Sequence, residues 1–356
     1  MKPPVLITGG AGFIGSNLAL YLKERQPSRS IIAFDNLRRR GSVLNVPRLK
    51  KAGITFIRGD IRSTKDLAKT GPFSALIECS AEPSVLSGLT ADTPWSVIDN
   101  NLVGTARCLD HAARYKADFI FLSTSRVYPI EPLEGLSYRE SRTRFEWTDR
   151  ERHRGASRRG IAEDFPLEGY RSFYGASKLC SEYLIAEYQK YFGIRSVINR
   201  CGVVAGPWQM GKVDQGVAAL WVARHYWKRD LTYIGYGGKG KQVRDLLHVR
   251  DLCELIGLEL RNMKALNGQT FNVGGGAKVS ASLLELTELC RRITGNRIRI
   301  KSVLQERPAD LRIYVSDCAR LKAHTGWEPK KSVEDIVGDL FDWIRSNARS
   351  LEPVLR

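Results

Sequence analysis

The 356-residue sequence predicts a doubly wound α/β fold, a parallel sheet followed by a smaller mixed α/β C-terminal lobe. Three observations predict it. A short apolar strand over 5–8 runs into a glycine-rich turn and then a helix with Ile14, Leu18, Tyr21 and Leu22 on one face, a strand-turn-helix order specific to Rossmann sheets. Apolar strands and helical patterns then alternate to about residue 200, and such alternation builds parallel sheets. Past Arg200 the elements become shorter and mixed, which marks a second lobe. The expected division is therefore 1–200 and 201–356, with a long insertion at 131–171 belonging to the first domain and some crossing of the chain between the two.

The first turn reads Gly9-Gly10-Ala11-Gly12-Phe13-Ile14-Gly15. Glycines there allow a tight bend and a close approach by a pyrophosphate, while the helix N-terminus offers amides and the positive end of its dipole. The strand at 31–34 ends in Asp35, about 20 residues beyond the last glycine, where an acid meets the adenine ribose hydroxyls of NAD. Arg38, Arg39 and Arg40 follow and leave NADP open, although Asp35 repels a ribose phosphate. A third strand (54–57) leads to Gly59-Asp60-Ile61, and a fourth (75–78) to Cys79-Ser80-Ala81. A helical pattern over 94–115 contains Asn100-Asn101, and a fifth strand (118–122) delivers Ser123-Thr124 at its carboxyl end, the end where such sheets bind ligands.

Next comes Tyr174-Gly175-Ala176-Ser177-Lys178. Tyr174 and Lys178, four apart on a helix, share a face, and an ammonium beside a phenol favours the phenolate, a base for a hydroxyl proton. Ala176, Leu179, Cys180, Tyr183 and Leu184 recur at helical spacing and predict the buried face of that helix. A sixth strand follows at 194–199. In the second lobe a helix is expected from Val217 to about Trp227, a strand over 231–234, and helices near 251–262, 280–294 and 332–347.

Composition bounds the rest. The net charge of +18, densest from Arg139 to Arg159, admits either a polyanion-binding surface or a diphosphate pocket in a basic protein. Seven scattered cysteines without paired short spacing argue against a disulfide framework and a zinc site, and the five histidines lack ligand spacing, so no metal is expected. There is no apolar run of membrane-spanning length and no signal-peptide core before the first strand. A cytoplasmic protein without a membrane partner is expected.

Taken in order, the pieces at 8–15, 35–36, 59–61, 101–105, 123–128 and 174–178 resemble the extended short-chain dehydrogenase/reductase superfamily, the nucleotide-sugar epimerases and dehydratases. The resemblance implies Thr124, Tyr174 and Lys178 as the catalytic trio. It implies cofactor contacts from Gly9, Gly12, Phe13, Ile14, Gly15, Asp35, Asn36, Asp60, Ile61, Ser80, Ala81, Asn101 and Ser123, with Tyr174 and Lys178, around NAD. It further implies a nucleotide-diphosphate sugar held by Thr124, Gln215, Arg244, Arg307 and Asp310, with the arginines on the diphosphate and Asp310 on the ribose. Relatives pair through two long helices, so a homodimer or homotetramer is implied, and nucleic acid is disfavoured despite the charge.

Within the superfamily, the run Gly238 to His248, with Asp214-Gln215-Gly216 before it and Phe271 to Gly275 after it, is similar to the CDP-tyvelose (CDP-paratose) 2-epimerases. That implies inversion of carbon 2 of a CDP-linked deoxyhexose through a transient keto-sugar. The alternatives are a 4-epimerase of a UDP- or GDP-hexose, a nucleotide-sugar ketoreductase, and a nucleotide-sensing or nucleic-acid-binding scaffold. Two positions depart from the family pattern: Glu78 where His is usual, and Val203 where Asn is usual. The dehydratases' Asp-Glu pair after the Thr is here Ser125-Arg126, which speaks against elimination. The 131–171 insertion, polar and arginine-rich, is expected to cover the sugar pocket.

Overall fold

The computed structural model describes residues 3–89, 94–148, 153–211 and 216–355. The chain divides into two compact units. The first comprises 1–127, 172–200 and 252–271; the second comprises 128–171, 201–251 and 272–356. This corrects the expected boundary. The 131–171 insertion groups with the second unit, and the segment 252–271 returns to the first.

The first unit is built on a seven-stranded sheet. Its strands are β1 (Val5–Thr8), β2 (Ile31–Asp35), β3 (Thr55–Arg58), β4 (Ala75–Glu78) and β5 (Asp118–Thr124), with Ser196–Cys201 and Gln269–Val273 beyond. The order is Gln269–Val273, Ser196–Cys201, β5, β4, β1, β2, β3, and β1 through β5 pair in parallel. The chain thus winds outward in both directions from β1 and β4, and the break in order between them is where such sheets bind ligands. The seventh strand lies far beyond the alternating stretch, so local pattern did not reveal it. Helix α1 (Phe13–Arg25) follows β1. The long helical pattern after residue 94 is interrupted by a π turn at Asp99–Val103 before α2 (Gly104–Arg114). Helix α3 (Phe173–Phe192) begins with Ser172 as its cap, whose side chain accepts from the Gly175 amide. Leu6, Phe34, Leu76, Phe119 and Phe121 of the sheet pack with Leu109 of α2 and Ile185 of α3 in one core, each fully buried side chain contributing about 1.5–3 kcal/mol.

The insertion lies in the second unit. It carries an antiparallel hairpin, Tyr138–Glu140 against Phe145–Trp147, pinned by Arg144. That guanidinium donates to Glu285 and to Ser280, while Thr143 also donates to Glu285. Glu285 is the acid of the capping box that starts the helix Leu283–Thr294, so one carboxylate holds both helix and hairpin. Arg312 stacks on Tyr138 at 4.1 Å and on Tyr236 at 5.1 Å while pairing with Glu134. Arg144 of the insertion is thus structural. Among the described residues no helix is long and apolar enough to cross a membrane, and all seven cysteines are free thiols.

Candidate active site

The first glycine turn leaves no room for side chains. A Cβ at Gly15 would lie 2.2 Å from the Gly9 carbonyl oxygen, one at Gly10 2.7 Å from Ala33 Cα, and one at Gly9, which takes φ +63°, 2.8 Å from the Cys79 carbonyl oxygen. Each constraint is backbone against backbone, so only glycine satisfies it. Helix α1 starts at Gly12 with no side-chain cap, which leaves its first amides unpaired within the helix. A narrow glycine cradle under an uncapped helix start fits a pyrophosphate.

Asp35 accepts from the Leu37 amide at 2.7 Å and the Ala11 amide at 3.1 Å, so it ties the end of β2 to the turn. Burial pushes its carboxyl up, with those amides and Arg39 pulling the other way. Asn36 donates to Asp60 at 3.0 Å. Asp60 is also gripped by Arg62, whose guanidinium holds that carboxyl well below the usual range, and Arg62 reaches on to Asp99. Arg62 escaped the sequence reading because one arginine after an Asp carries no pattern. Ile61 is buried, its Cδ1 only 2.5 Å from where a Gly104 Cβ would stand. These residues fit NAD.

Tyr174 and Lys178 sit in the first turns of α3. Lys178 is 2% exposed, with its ammonium 3.7 Å from the centroid of the Phe121 ring on β5, a cation–π contact. Asn101 sits in the π turn. Its Oδ1 accepts from the Glu82 amide and Asn100, and its Nδ2 donates to the Glu82 carbonyl and to Ser177 Oγ. Those bonds fill the side chain's hydrogen-bonding positions. Ser177 donates in turn to the Tyr174 carbonyl at 2.9 Å, so Asn101 ties the 80–82 loop to the first turn of α3.

Ser123 likewise faces protein: its hydroxyl donates to Glu182, which is paired with Arg200 at 2.7 Å. Thr124, the next residue, is buried, and its Oγ1 accepts the Arg126 amide at 3.2 Å.

The buried face of α3 matches the expected one at Leu179 and, in part, at Ala176 and Leu184. Cys180 is exposed and Tyr183 is 59% exposed, whereas Ser177, Lys178, Ser181, Glu182 and Ile185 are buried. Polar partners, not apolar spacing, decide which side turns inward. Glu182 and Arg200 were missed because a charge on a helix or at a strand end reads as solvated until both partners are located.

In the second unit Arg244 Nη2 donates to Asp310 at 2.7 Å and to the Leu311 carbonyl, and Nη1 donates to the Val243 carbonyl. Sequence reasoning set Arg244 on the diphosphate and Asp310 on the ribose; the structure joins the two in one pair. Arg307 is half-buried three residues before Asp310, and between them Ala309 takes φ 58°, a conformation disfavoured for any residue with a Cβ. Gln215 lies outside the described residues.

A glycine cradle that fits a pyrophosphate, an acid tying the second strand to it and a helix carrying Tyr174 and the buried Lys178 fit an NAD-linked enzyme of the short-chain type. Residues 5–274 match the NAD dependent epimerase/dehydratase family, and the chain belongs to it. The CDP-paratose 2-epimerase of Salmonella typhi is 32% identical over 352 residues, 96% of this chain and 99% of that protein. A dTDP-glucose 4,6-dehydratase of Streptomyces antibioticus is 27% identical over 98% of this chain and 95% of its own. Among solved structures, the UDP-glucuronic acid 4-epimerase of Bacillus cereus, in complex with UDP-glucuronic acid and NAD, superposes with a TM-score of 0.79 at 25% identity, covering 97% of this chain and 99% of its own. The cofactor is NAD, and the protein is an enzyme of the sugar-nucleotide epimerase kind.

Proposed function

We propose that the protein inverts carbon 2 of a CDP-linked deoxyhexose, oxidising the sugar to a ketone and reducing it again on the opposite face. The observation that carries this reading is Lys178, a buried cation one helical turn from Tyr174. Such a cation stabilises a phenolate, so Tyr174 Oη takes the proton of the sugar hydroxyl and later returns it. Thr124 Oγ1 already accepts a backbone amide, so its own hydrogen orients the substrate oxygen. Bound NAD supplies hydride acceptance and, once the sugar has turned, hydride return. Arg307 and the Arg244–Asp310 pair are assigned to the nucleotide, arginine being suited to phosphate by its planar fork.

The choice of CDP and of carbon 2 is supported by the similarity to the Salmonella typhi epimerase over nearly the whole chain. Inversion at carbon 4 of a UDP-sugar is the second reading, supported by the Bacillus cereus likeness. Ser125 and Arg126 after Thr124 offer no carboxylate pair for dehydration. The free thiols support a reducing, cytoplasmic setting. Two copies are assigned to pair through α3, where Tyr183, Tyr191 and Phe192 are 59%, 74% and 61% exposed; a monomer by sedimentation rejects that pairing.

The test is deuterium exchange followed by NMR at each ring carbon of CDP-, GDP- and UDP-sugars. Wild type is expected to invert one carbon of a CDP-sugar, and Tyr174→Phe to retain NAD but lose turnover by about 100-fold or more. Retained epimerisation in that variant rejects Tyr174 as the base.

A further inference from the structure

Glu78, at the carboxyl end of β4, has no part in the reaction as described above. It is register-paired with Thr8 of β1 on one side and Phe121 of β5 on the other. Paired residues of neighbouring parallel strands stand about 5 Å apart on one face of the sheet. Since the Lys178 ammonium rests on the Phe121 ring, Glu78 is its neighbour. The Glu78 side chain is fully buried, and its Oε2 has no hydrogen-bond partner.

The other oxygen meets a hydroxyl that has a second acceptor. Glu78 Oε1 is 2.8 Å from Thr105 Oγ1, and that hydroxyl is 2.6 Å from the Asn101 main-chain carbonyl. A hydroxyl has one hydrogen and a carbonyl can only accept, so the shorter contact takes the threonine's hydrogen. The contact with Glu78 is then a hydrogen bond only if Glu78 donates, as a neutral carboxylic acid. Burial acts in the same direction, pushing this carboxyl up to about 7 against the opposing pulls of Lys178 and of a hydrogen bond from Thr105 to the charged form.

We propose that Glu78 is a positioning residue of the active centre: as a neutral acid donating to Thr105 it leaves the charge of Lys178 to the Tyr174 phenolate, and its ionisation draws that charge away. The proposal rests on the assignment of Tyr174 and Lys178 made above. The titratable groups facing Glu78 are Lys178 from α3 and Cys108 from α2, and burial drives the Cys108 thiol far above its ordinary value, so that it stays neutral. Thr8 and Phe121 on the flanking strands carry no charge.

The sign follows. Turnover falls as pH rises through the Glu78 value, because the new carboxylate competes with the phenolate for one ammonium. In Glu78→Gln, which keeps a donor for Thr105 and cannot ionise, the profile scaled to its own maximum should lose this alkaline limb or shift it up by about one pH unit or more. Thr105→Val removes the acceptor of the acid's proton and should move the limb to lower pH; a move to higher pH means that Thr105 donates to a carboxylate, and overturns the proposal. Superimposable wild-type and Glu78→Gln profiles overturn it too.

A readout independent of turnover is the infrared carbonyl band of a buried protonated acid. The buried Glu259 gives a band of the same kind, so Glu78 is assigned from the difference between wild type and Glu78→Gln below neutral pH. Absence of the difference band refutes the neutral acid even if a sugar is epimerised. Its presence supports that acid even if the Tyr174 assignment fails. Should Glu78→Gln not fold, Thr105→Val alone decides, by the direction in which it shifts the infrared titration.

Discussion

Replacing Arg200 by alanine removes the cation of a pair whose side chains are only 7% and 5% exposed, and strands the Glu182 carboxylate in the interior. Arg200 holds Glu182 by Nη2 at 2.7 Å and by Nε at 3.1 and 3.2 Å to the two carboxylate oxygens. The pair's net worth is small, because desolvation of two ions offsets most of their attraction; breaking it is another matter, costing about 3–5 kcal/mol. Against a typical total stability of about 5–15 kcal/mol this is a large fraction. Urea unfolding should show a lowered midpoint with an unchanged slope. Activity should fall with it, because Glu182 also anchors Ser123, the residue before Thr124, and stands one turn past Lys178. Replacing both partners together by methionine should recover most of the loss, since an apolar pair of similar volume avoids the stranded charge. A cost below about 1 kcal/mol for Arg200→Ala, or a double variant as damaged as the two singles summed, would refute the reasoning.

Three further expectations come from other parts of the structure. Gly15→Ala puts a methyl 2.2 Å from the Gly9 carbonyl oxygen, with backbone on both sides; it should lose bound NAD, read from the absorbance of the purified protein, and cost about 1–3 kcal/mol as overpacking does. Arg144→Ala removes the clamp from the hairpin to Glu285 and Ser280. It should cost about 1.5–3 kcal/mol, with faster amide exchange across 138–147 seen by mass spectrometry. Glu259, fully buried with Asn199 as its partner, has its carboxyl pushed up to about 8 by burial. Between about 4.5 and 8 the unfolded chain has released a proton that the folded chain keeps, so stability falls as pH rises through that window, by up to about 1.4 kcal/mol per unit. Glu259→Gln should flatten this slope in denaturation midpoints measured across pH.

Much of the first unit was legible because its signals are local. Strand, glycine turn and helix succeed one another within 25 residues, and five parallel strands follow from apolar runs separated by helical ones. The Tyr174–Lys178 spacing likewise needs only one helix. What was missed involves distant pairs. The edge strand Gln269–Val273 enters the sheet after a long excursion through the other unit, and the insertion joined the second unit because Arg144 found Glu285, 141 residues away. The inner face of helix α3 was legible only in part for the same reason: Leu179 is buried as expected, but Ser177, Lys178 and Glu182 are buried by partners on other elements while Cys180 and Tyr183 face out.

The sequence by itself determined six of the seven strands of the sheet and the dinucleotide turn, and it placed Tyr174 and Lys178 on one helix, since each is encoded by spacing along one strand or one helix. Only the tertiary structure decided which charges are buried, which arginines hold the fold rather than a ligand, and what surrounds Glu78. Burying a charge is costly unless its partner arrives from elsewhere in the chain, and the identity of that partner is a property of the folded molecule.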